Sequence, residues 1–454
     1  MVFDMGVSRI TQGKAERANK EIMKSDESVW IDVALLRVGH YIELDVGWMA
    51  HPFPTSSFKI SSQKQVDVIR GLGKPQVRYV PSKSDVSPDA NETEGATRIA
   101  ADAVADLARQ DAAARDREQR QLKASMLAAQ ERSLIVCERR FAESVRLYRK
   151  TMDAVQSNPK QATQPCVEMV TTYVNEMLDN GEASIRLLSE AAGDKSSMHP
   201  VNVTIIALLL GKAMGMSRSE LMDLGMAAYL HDIGKVKLPD RVRWLEDNFS
   251  SAEYRLYQEH VAQGITLGRA MDLNPPVLLA MLHHHEMADG SGFPSRLRGD
   301  ALGGSGRILA LVNRYDNLCN PSRPGAALTP HEALSLIFAQ FKARFDASAL
   351  SAFIRMMGVY PPGSVVQLID DRYGIVVSVN SSRPLKPRVI LYEPGVPKHE
   401  ALILDLEKAP HLGIRRSLKP ANLPPAALDY LAPRQRIAYF FEQAIEPEKP
   451  GPAA

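Results

Sequence analysis

Six of the eleven histidines fall between positions 199 and 285. The densest stretch is "MLHHHEMADGSGFP", residues 281–294, with three adjacent imidazoles, a glutamate and a run of Gly, Asp and Ser closed by Phe-Pro. Three imidazoles offer little to an apolar core, because each brings two polar nitrogens that need partners when buried. Such a run is either a ligand cluster for metal or a solvated loop, and the residues around it bear on the choice. His231 and Asp232 end the stretch "SRSELMDLGMAAYLHDIGK". Leu221, Leu224 and Ala228 lead to His231 at helical spacing, so the pair sits at the apolar side of a helix end. A His-Asp pair there is costly without a counter-charge. A divalent cation satisfies both residues, and a carboxylate can bridge two cations. His199, just before Pro200 at the start of an apolar helix, and His260 in "YQEHVAQG" add further nitrogens. Each histidine alone reads more readily as a surface or hydrogen-bonded core residue; together, in one helical region, they read as a metal centre.

His199, then His231-Asp232 within "HDIGK", then "HHEMADGSGFP" resemble the HD-GYP domain, a subgroup of the HD metal-dependent phosphohydrolases. The resemblance covers roughly 185–355. The flanking "WMAHPFPTSSFKI" (48–60) and "PPGSVVQL" (361–368) resemble the small N-terminal module and C-terminal extension of one bacterial subgroup. The resemblance implies hydrolysis of cyclic di-GMP to the linear dinucleotide by metal-activated water, with iron or manganese at the centre. His199, His231 and Asp232 would hold the first metal, with Asp232 bridging to a second held by His260, His284 and His285. His283 would pack or hydrogen-bond nearby. Glu286 and Asp289 would orient ligands or close the loop, and Gly290 and Gly292 would let backbone approach substrate. Lys235 would neutralise a phosphate oxygen or protonate a leaving group; Phe293 and Arg323 would contact substrate.

Four departures qualify the resemblance. Phe293 stands where the motif has tyrosine. Lys195 replaces a glutamate that some members use for a third metal, so two metals are expected. A second basic residue after Arg323 is missing from "RPGAALTP", which implies weaker phosphate binding. Asn313 occupies the place of an aspartate that completes the first metal site; its amide oxygen is a neutral ligand, and Asp316, one turn on, is expected to compensate in part. The alternative reading is a degenerate domain that binds cyclic di-GMP or a protein partner without turnover.

The elements that must carry these residues are mainly α. An HD-type helical bundle (136–358) is flanked by a small N-terminal α+β module (27–83) and a β-rich C-terminal extension ending in a helix (361–445). Residues 1–26 and 446–454 read as disordered. Residues 84–135 read as a linker followed by a long solvated helix. A coiled-coil dimerisation stalk is the sharper reading of that helix, but apolar heptad positions fail between Leu107 and Leu122. The strand-like "SVVQLID", "YGIVVSVN" and "PRVILY" alternate with turn residues.

Composition bounds the rest. A chain of 454 residues suggests about three domains at ~150 residues each. A net charge of +2 gives no reason to expect a nucleic-acid polymer or an anionic membrane as partner. Three scattered cysteines imply no disulfide framework, no signal peptide is visible, and the longest apolar run, 203–211, is about half a membrane span. The expectation is a cytoplasmic signalling protein with a homodimer or signalling-protein partner.

Overall fold

Residues 28–45, 51–86, 90–179, 183–189, 195–244, 249–380 and 383–443 are described by a computed structural model; the expected disordered ends lie outside them. The chain divides into two units, 1–118 and 119–454.

In the first unit, β1 (Val29–Asp32), β2 (Tyr41–Glu43), β3 (Ser57–Lys59) and β4 (Gln76–Tyr79) form an antiparallel sheet in the order β1-β4-β2-β3. Helix α1 (Gln63–Gly71) buries Val66 and Ile69, three residues apart, against Ile31, Ile42, Ile60 and Val77.

Helix α2 (Ala90–Ala154) runs well past the expected end near Leu134. No breaker intervenes before Pro159; what changes is the surface it presents. Leu107 and Leu122 are exposed, whereas Cys137, Phe141, Val145 and Tyr148, at spacings of three and four, are buried. Composition therefore marked the start of burial, which is not the end of the helix. The bundle continues with α3 (Pro159–Asp179), α4 (Lys195–Ala213), α5 (Arg218–Leu230), α6 (Ser251–Ala270), α7 (Pro275–His283), α8 (Gly304–Cys319), α9 (Pro330–Gln340) and α10 (Ala347–Met357). Ser217–Glu220, Ser250–Glu253 and Thr329–Glu332 are reciprocal capping boxes that set where α5, α6 and α9 begin. Helix α4 is buried continuously from Ser197 to Gly211, as its nearly all-apolar sequence requires.

Two expectations are corrected in the second unit. Residues 183–187 lie within the stretch read as consecutive helices but form β5 (Ala183–Leu187). Residues at the end of the expected terminal helix form β11 (Tyr439–Gln443), which pairs antiparallel with β5 from Tyr439↔Leu187 to Gln443↔Ala183. Only α11 (Pro425–Leu431) of that finish is helical. With β6 (Val365–Leu368), β7 (Tyr373–Asn380), β8 (Arg388–Leu391), β9 (Leu404–Asp405) and β10 (Ile414–Leu418), the sheet runs β10-β6-β7-β5-β11, with β8 and β9 continuing from β7. The sheet and the bundle share one hydrophobic core, in which Tyr315, Phe353, Val366, Tyr439 and Phe440 are all fully buried. Buried Arg186 of β5 and Glu442 of β11 face each other at 3.1 Å, so pairing the strands also pairs their charges. Among the described residues, no helix is long and apolar enough to cross a membrane. The protein is mainly α, with a small α+β module before the bundle and β-rich structure after it.

Candidate metal centre and active site

Three helix ends and the middle of a fourth helix converge on one point. His199 lies in the first turns of α4; His231 follows the last residue of α5; His260 is midway along α6; His284 follows the last residue of α7. Asp232 opens a short 3-10 turn, Ile233–Lys237, that lies against α6. Gly234 makes that contact sterically feasible. A Cβ there would stand 1.9 Å from the His260 carbonyl oxygen and 2.4 Å from the Gly264 amide nitrogen. The glycine thus brings the Asp232 turn to backbone contact with the helix carrying His260.

Two groups of side chains share Asp232: His199, His231 and Asp232, and Asp232, His260, His284 and His285. Oδ2 of Asp232 lies 3.5 Å from His231 Nε2 and 3.7 Å from His199 Nε2. Its Oδ1 lies 3.6 Å from His260 Nε2 and 3.9 Å from His284 Nε2. The carboxylate therefore presents one oxygen to each histidine pair.

The tautomers follow from the outer partners. Nδ1 of His231, His260 and His284 meets the carbonyl oxygens of Ala228 (2.7 Å), Tyr257 (2.5 Å) and Met281 (2.6 Å). A carbonyl only accepts, so each Nδ1 carries the proton and each Nε2 keeps its lone pair when the ring is neutral. His199 Nδ1 lies 2.5 Å from Asp316 Oδ2, which orients that ring the same way. The inward nitrogens then meet lone pair to lone pair: His199 and His231 at 3.2 Å, His260 and His284 at 3.2 Å. Neutral acceptors gain nothing from facing each other, and buried Asp232 Oδ1 has no hydrogen-bond partner. A cation in each group satisfies all of these atoms: two nitrogens ~2.1 Å from one ion at near right angles are themselves ~3.0 Å apart. The donor set fits metal.

Charge states agree. Burial above all pushes His231 down to about 4 and His260 and His284 down to about 3, and holds His285 well below its usual value. These rings are neutral near pH 7 and need release no proton to ligate. Burial opposes the charge on Asp232, yet Lys235 first, then His231, His260 and His199, hold its carboxyl well below the usual carboxylate range.

Residues 146–349 match the HD domain family, and residues 28–166 match a domain of unknown function, DUF3391. The chain carries an HD domain. It is 25% identical over 366 residues to cyclic di-GMP phosphodiesterase PA4108 of Pseudomonas aeruginosa, covering 80% of this chain and 84% of that one. It is 32% identical over 152 residues to the cyclic di-GMP phosphodiesterase response regulator RpfG of Xanthomonas campestris, covering 33% of this chain but 40% of the relative. Among solved structures, Bd1817, an HDG"Y"P protein from Bdellovibrio bacteriovorus, aligns over 72% of this chain and 98% of its own at 13% identity and a TM-score of 0.39.

Beside the histidines the HD domain opens a cavity of about 480 Å³. His284, His285, Lys235, Phe293, Gly292, Asn313 and Arg323, all singled out by sequence, line it. Lys235 Nζ donates to Asp232 Oδ2 at 2.6 Å and lies 5.0 Å and 5.5 Å over the rings of Trp244 and Tyr257. The Phe293 ring stacks on His285 at 4.5 Å, a contact that does not need the motif's missing hydroxyl. Buried Glu286 accepts from the backbone N–H groups of Ser295, Arg296 and Leu297 at 2.5, 3.1 and 2.9 Å, which assigns it to loop closure. Asp289 is exposed and accepts from Ser291 N, turning the same loop. Gly290 has φ +80°, and a Cβ on Gly292 would stand 2.4 Å from Met287 N, so both glycines are imposed by the crossing of the loop on itself. His283 is buried with its Cβ against Gly306, outside both ligand groups.

Two expectations change at helix α8 of the HD domain. Asp316 does not turn toward the shared Asp232 carboxylate; it grips the outer edge of His199 and accepts from Asn202 and Asn320 at 3.0 and 2.9 Å. Asn313 is buried beside His284, and its Oδ1 accepts from Asn317 Nδ2 at 2.7 Å, leaving one lone pair for another partner. No basic residue follows closely after Arg323, but Arg314 and Arg344 line the same cavity. No local signal marked them, since Arg344 is 21 positions on and joins the site only through the fold. The side chain of Lys195 lies outside the described residues.

Proposed function

We propose that this chain is a metal-dependent phosphodiesterase of the HD-GYP type that hydrolyses cyclic di-GMP to the linear dinucleotide. The observation that carries the proposal is the sharing of Asp232 between two histidine groups whose inward nitrogens all hold lone pairs, at the wall of a basic cavity. The printed names of PA4108 and RpfG support the substrate. His199, His231 and Asp232 would hold one ion, and Asp232, His260, His284 and His285 a second; iron or manganese suits this N/O set. Asn313 is retained as a neutral partner of the centre through its remaining lone pair. Bound there, two such ions would lower the pKa of a water and neutralise phosphate oxygens.

The rest is done by the chain. Arg323 and Lys235 draw a phosphodiester into the cavity, and Trp244, Tyr254 and Phe293 offer ring faces to its purines. Lys235, held over two rings, would hand a proton to the departing ribose oxygen. His285 is kept in position by the Phe293 ring.

The test is reconstitution with manganese, or with iron under anaerobic conditions, followed by chromatography of cyclic di-GMP digests. Linear dinucleotide from wild type and none from Asp232→Asn supports the proposal. Metal and dinucleotide both bound without turnover would replace it with the receptor reading.

A further inference from the structure

We infer that Tyr257 is the positioning residue for His285: its hydroxyl accepts the Nε2–H of that ring, which leaves the Nδ1 lone pair for the ion shared with Asp232, His260 and His284. The inference rests on the metal-centre reading and goes beyond it, since Tyr257 belongs to no motif by which the site was recognised.

Four of the five grouped histidines have their outer nitrogen held, three by backbone carbonyls and His199 by Asp316. His285 has neither kind of partner. Among the described residues its ring makes one hydrogen-bond contact, from Nε2 to the Tyr257 hydroxyl at 3.5 Å, and that hydroxyl makes no other. Tyr257 is only 4% exposed, so its hydroxyl has little bulk water to turn to. It lies on α6, three positions before His260, and serves that ring as well. Its carbonyl meets His260 Nδ1 at 2.5 Å, and the two ring centroids are 4.8 Å apart. One residue thus touches both His260 and His285.

Phe293, stacked on His285 at 4.5 Å and 22°, fixes the plane of the imidazole. Stacking is indifferent to a flip that exchanges nitrogen for carbon at each edge, and a hydrogen bond at one edge removes that freedom. A phenol oxygen can donate or accept. Donating to Nε2 would put the neutral ring's one proton on Nδ1 and leave no lone pair for a cation. With Nε2–H donating, Nδ1 keeps its lone pair, as a member of the Asp232 group requires. The phenol's own O–H is then left to the cavity that Tyr257 lines. The contact is long for a hydrogen bond, and bonds of this kind often tighten only when a site fills.

The full-length protein is compared as wild type, Tyr257→Phe, His285→Ala and the double variant. Phenylalanine keeps the ring beside His260 and Lys235 and removes only the hydroxyl. Manganese affinity is followed by competitive titration. Ring tautomers are read from long-range nitrogen–proton NMR correlations of metal-free, histidine-labelled protein, the His285 signals being those lost in His285→Ala. Wild-type His285 should carry its proton on Nε2, whereas His231, His260 and His284 carry theirs on Nδ1. Tyr257→Phe should lose about tenfold or more in affinity for one ion and keep the other. It should have no further effect once His285 is alanine, because it acts through that ring. Unchanged affinity in Tyr257→Phe, a loss that adds to that of His285→Ala, or Nδ1–H on His285 overturns the inference and leaves the two-ion reading intact. Wild type that takes up no manganese ends that reading instead. Tyr257 is then judged by the tautomer alone: Nε2–H in wild type, lost in Tyr257→Phe, upholds its hold on His285, and any other pattern rejects it.

Discussion

Asp316 grips His199 by the edge opposite the histidine cluster: its Oδ2 lies 2.5 Å from Nδ1, while Nε2 faces His231 and Asp232. The carboxylate thereby fixes which nitrogen carries the proton and how the ring is turned, and it raises the basicity of the nitrogen that would ligate. Asp316→Asn keeps the side-chain volume but removes the charge. Outer partners of this kind are worth about 10–100-fold in metal affinity. The variant should therefore lose one ion per chain at metal concentrations that saturate wild type, with the other retained. Equal stoichiometry and affinity in a competitive metal titration would show that His199 does not depend on Asp316.

Asn313 lies nearer the other histidine group, its Nδ2 3.5 Å from the His284 carbonyl. Asn313→Asp places a carboxylate beside His284 in a buried setting, where charge–charge attraction is strong. Half-saturation by manganese should move down by at least about tenfold, since ~1.4 kcal/mol suffices for that. Turnover should rise at limiting metal and change little once both sites are full, because the added charge also makes the ion a weaker acid for its water. An identical metal dependence in hydrolysis assays would place residue 313 outside the centre.

Glu286 tests the loop rather than the metals. Its carboxylate is fully buried and takes three backbone N–H groups. Glu286→Gln turns one acceptor into a donor aimed at donors, which should cost ~2–4 kcal/mol at charge-assisted bond strengths. Hydrogen exchange should accelerate specifically in residues 287–298, and KM should rise as Gly292 and Phe293 leave the cavity wall. Unaltered exchange there would mean that the loop holds itself.

Gly234→Ala should be far more damaging than its size suggests. The new methyl meets backbone, not a side chain that can swing away: His260 O at 1.9 Å and Gly264 N at 2.4 Å. Either the Asp232 turn or α6 must shift, separating the residues that share the ions. A loss of ~3 kcal/mol or more in urea unfolding, with loss of metal, is expected from overpacking of this kind. A variant of wild-type stability and metal content would mean that the contact between the turn and α6 is looser than described.

What could be read in the sequence was what depends on residue type at short range. The clustered side chains announced themselves as candidate ligands because imidazole and carboxylate have few other uses at apolar helix ends, and the Ser217–Glu220 box marked the start of α5 because both partners lie within one turn. What could not be read depends on distant pairing. In "RQRIAYFFEQ" the apolar residues suit a helix face as well as a strand, and only β5, more than 250 positions away, decides for the strand. The role of Asp316 was misread for a related reason: spacing puts it on the same helix as Asn313, but which side of His199 it meets is set by α4 packing against α8.

That distant pairing reaches the metal centre. Asn202 and Asn320 both donate to Asp316 Oδ1 and to the carbonyl of Ile437, at 3.0 and 2.7 Å and at 2.9 and 2.8 Å. Their amide oxygens accept in return from the backbone of Tyr439 and Ile437 at 3.0 and 2.8 Å. The C-terminal strand is thus hydrogen-bonded, through two buried amides, to the carboxylate that orients His199. Asn202→Leu is close in size and leaves Asp316, Ile437 O and Tyr439 N each short of one partner in a buried place. Unpaired buried groups cost ~1–3 kcal/mol apiece, so stability should fall by several kcal/mol with partial rescue from water. The diagnostic result is regional: hydrogen exchange should rise along 437–443, and metal affinity should fall by a factor similar to that in Asp316→Asn. If the two substitutions act on one chain of contacts, the double variant should lose less metal affinity than the sum of the two. Additive losses in that double-mutant cycle would show that the C-terminal strand and His199 are supported independently.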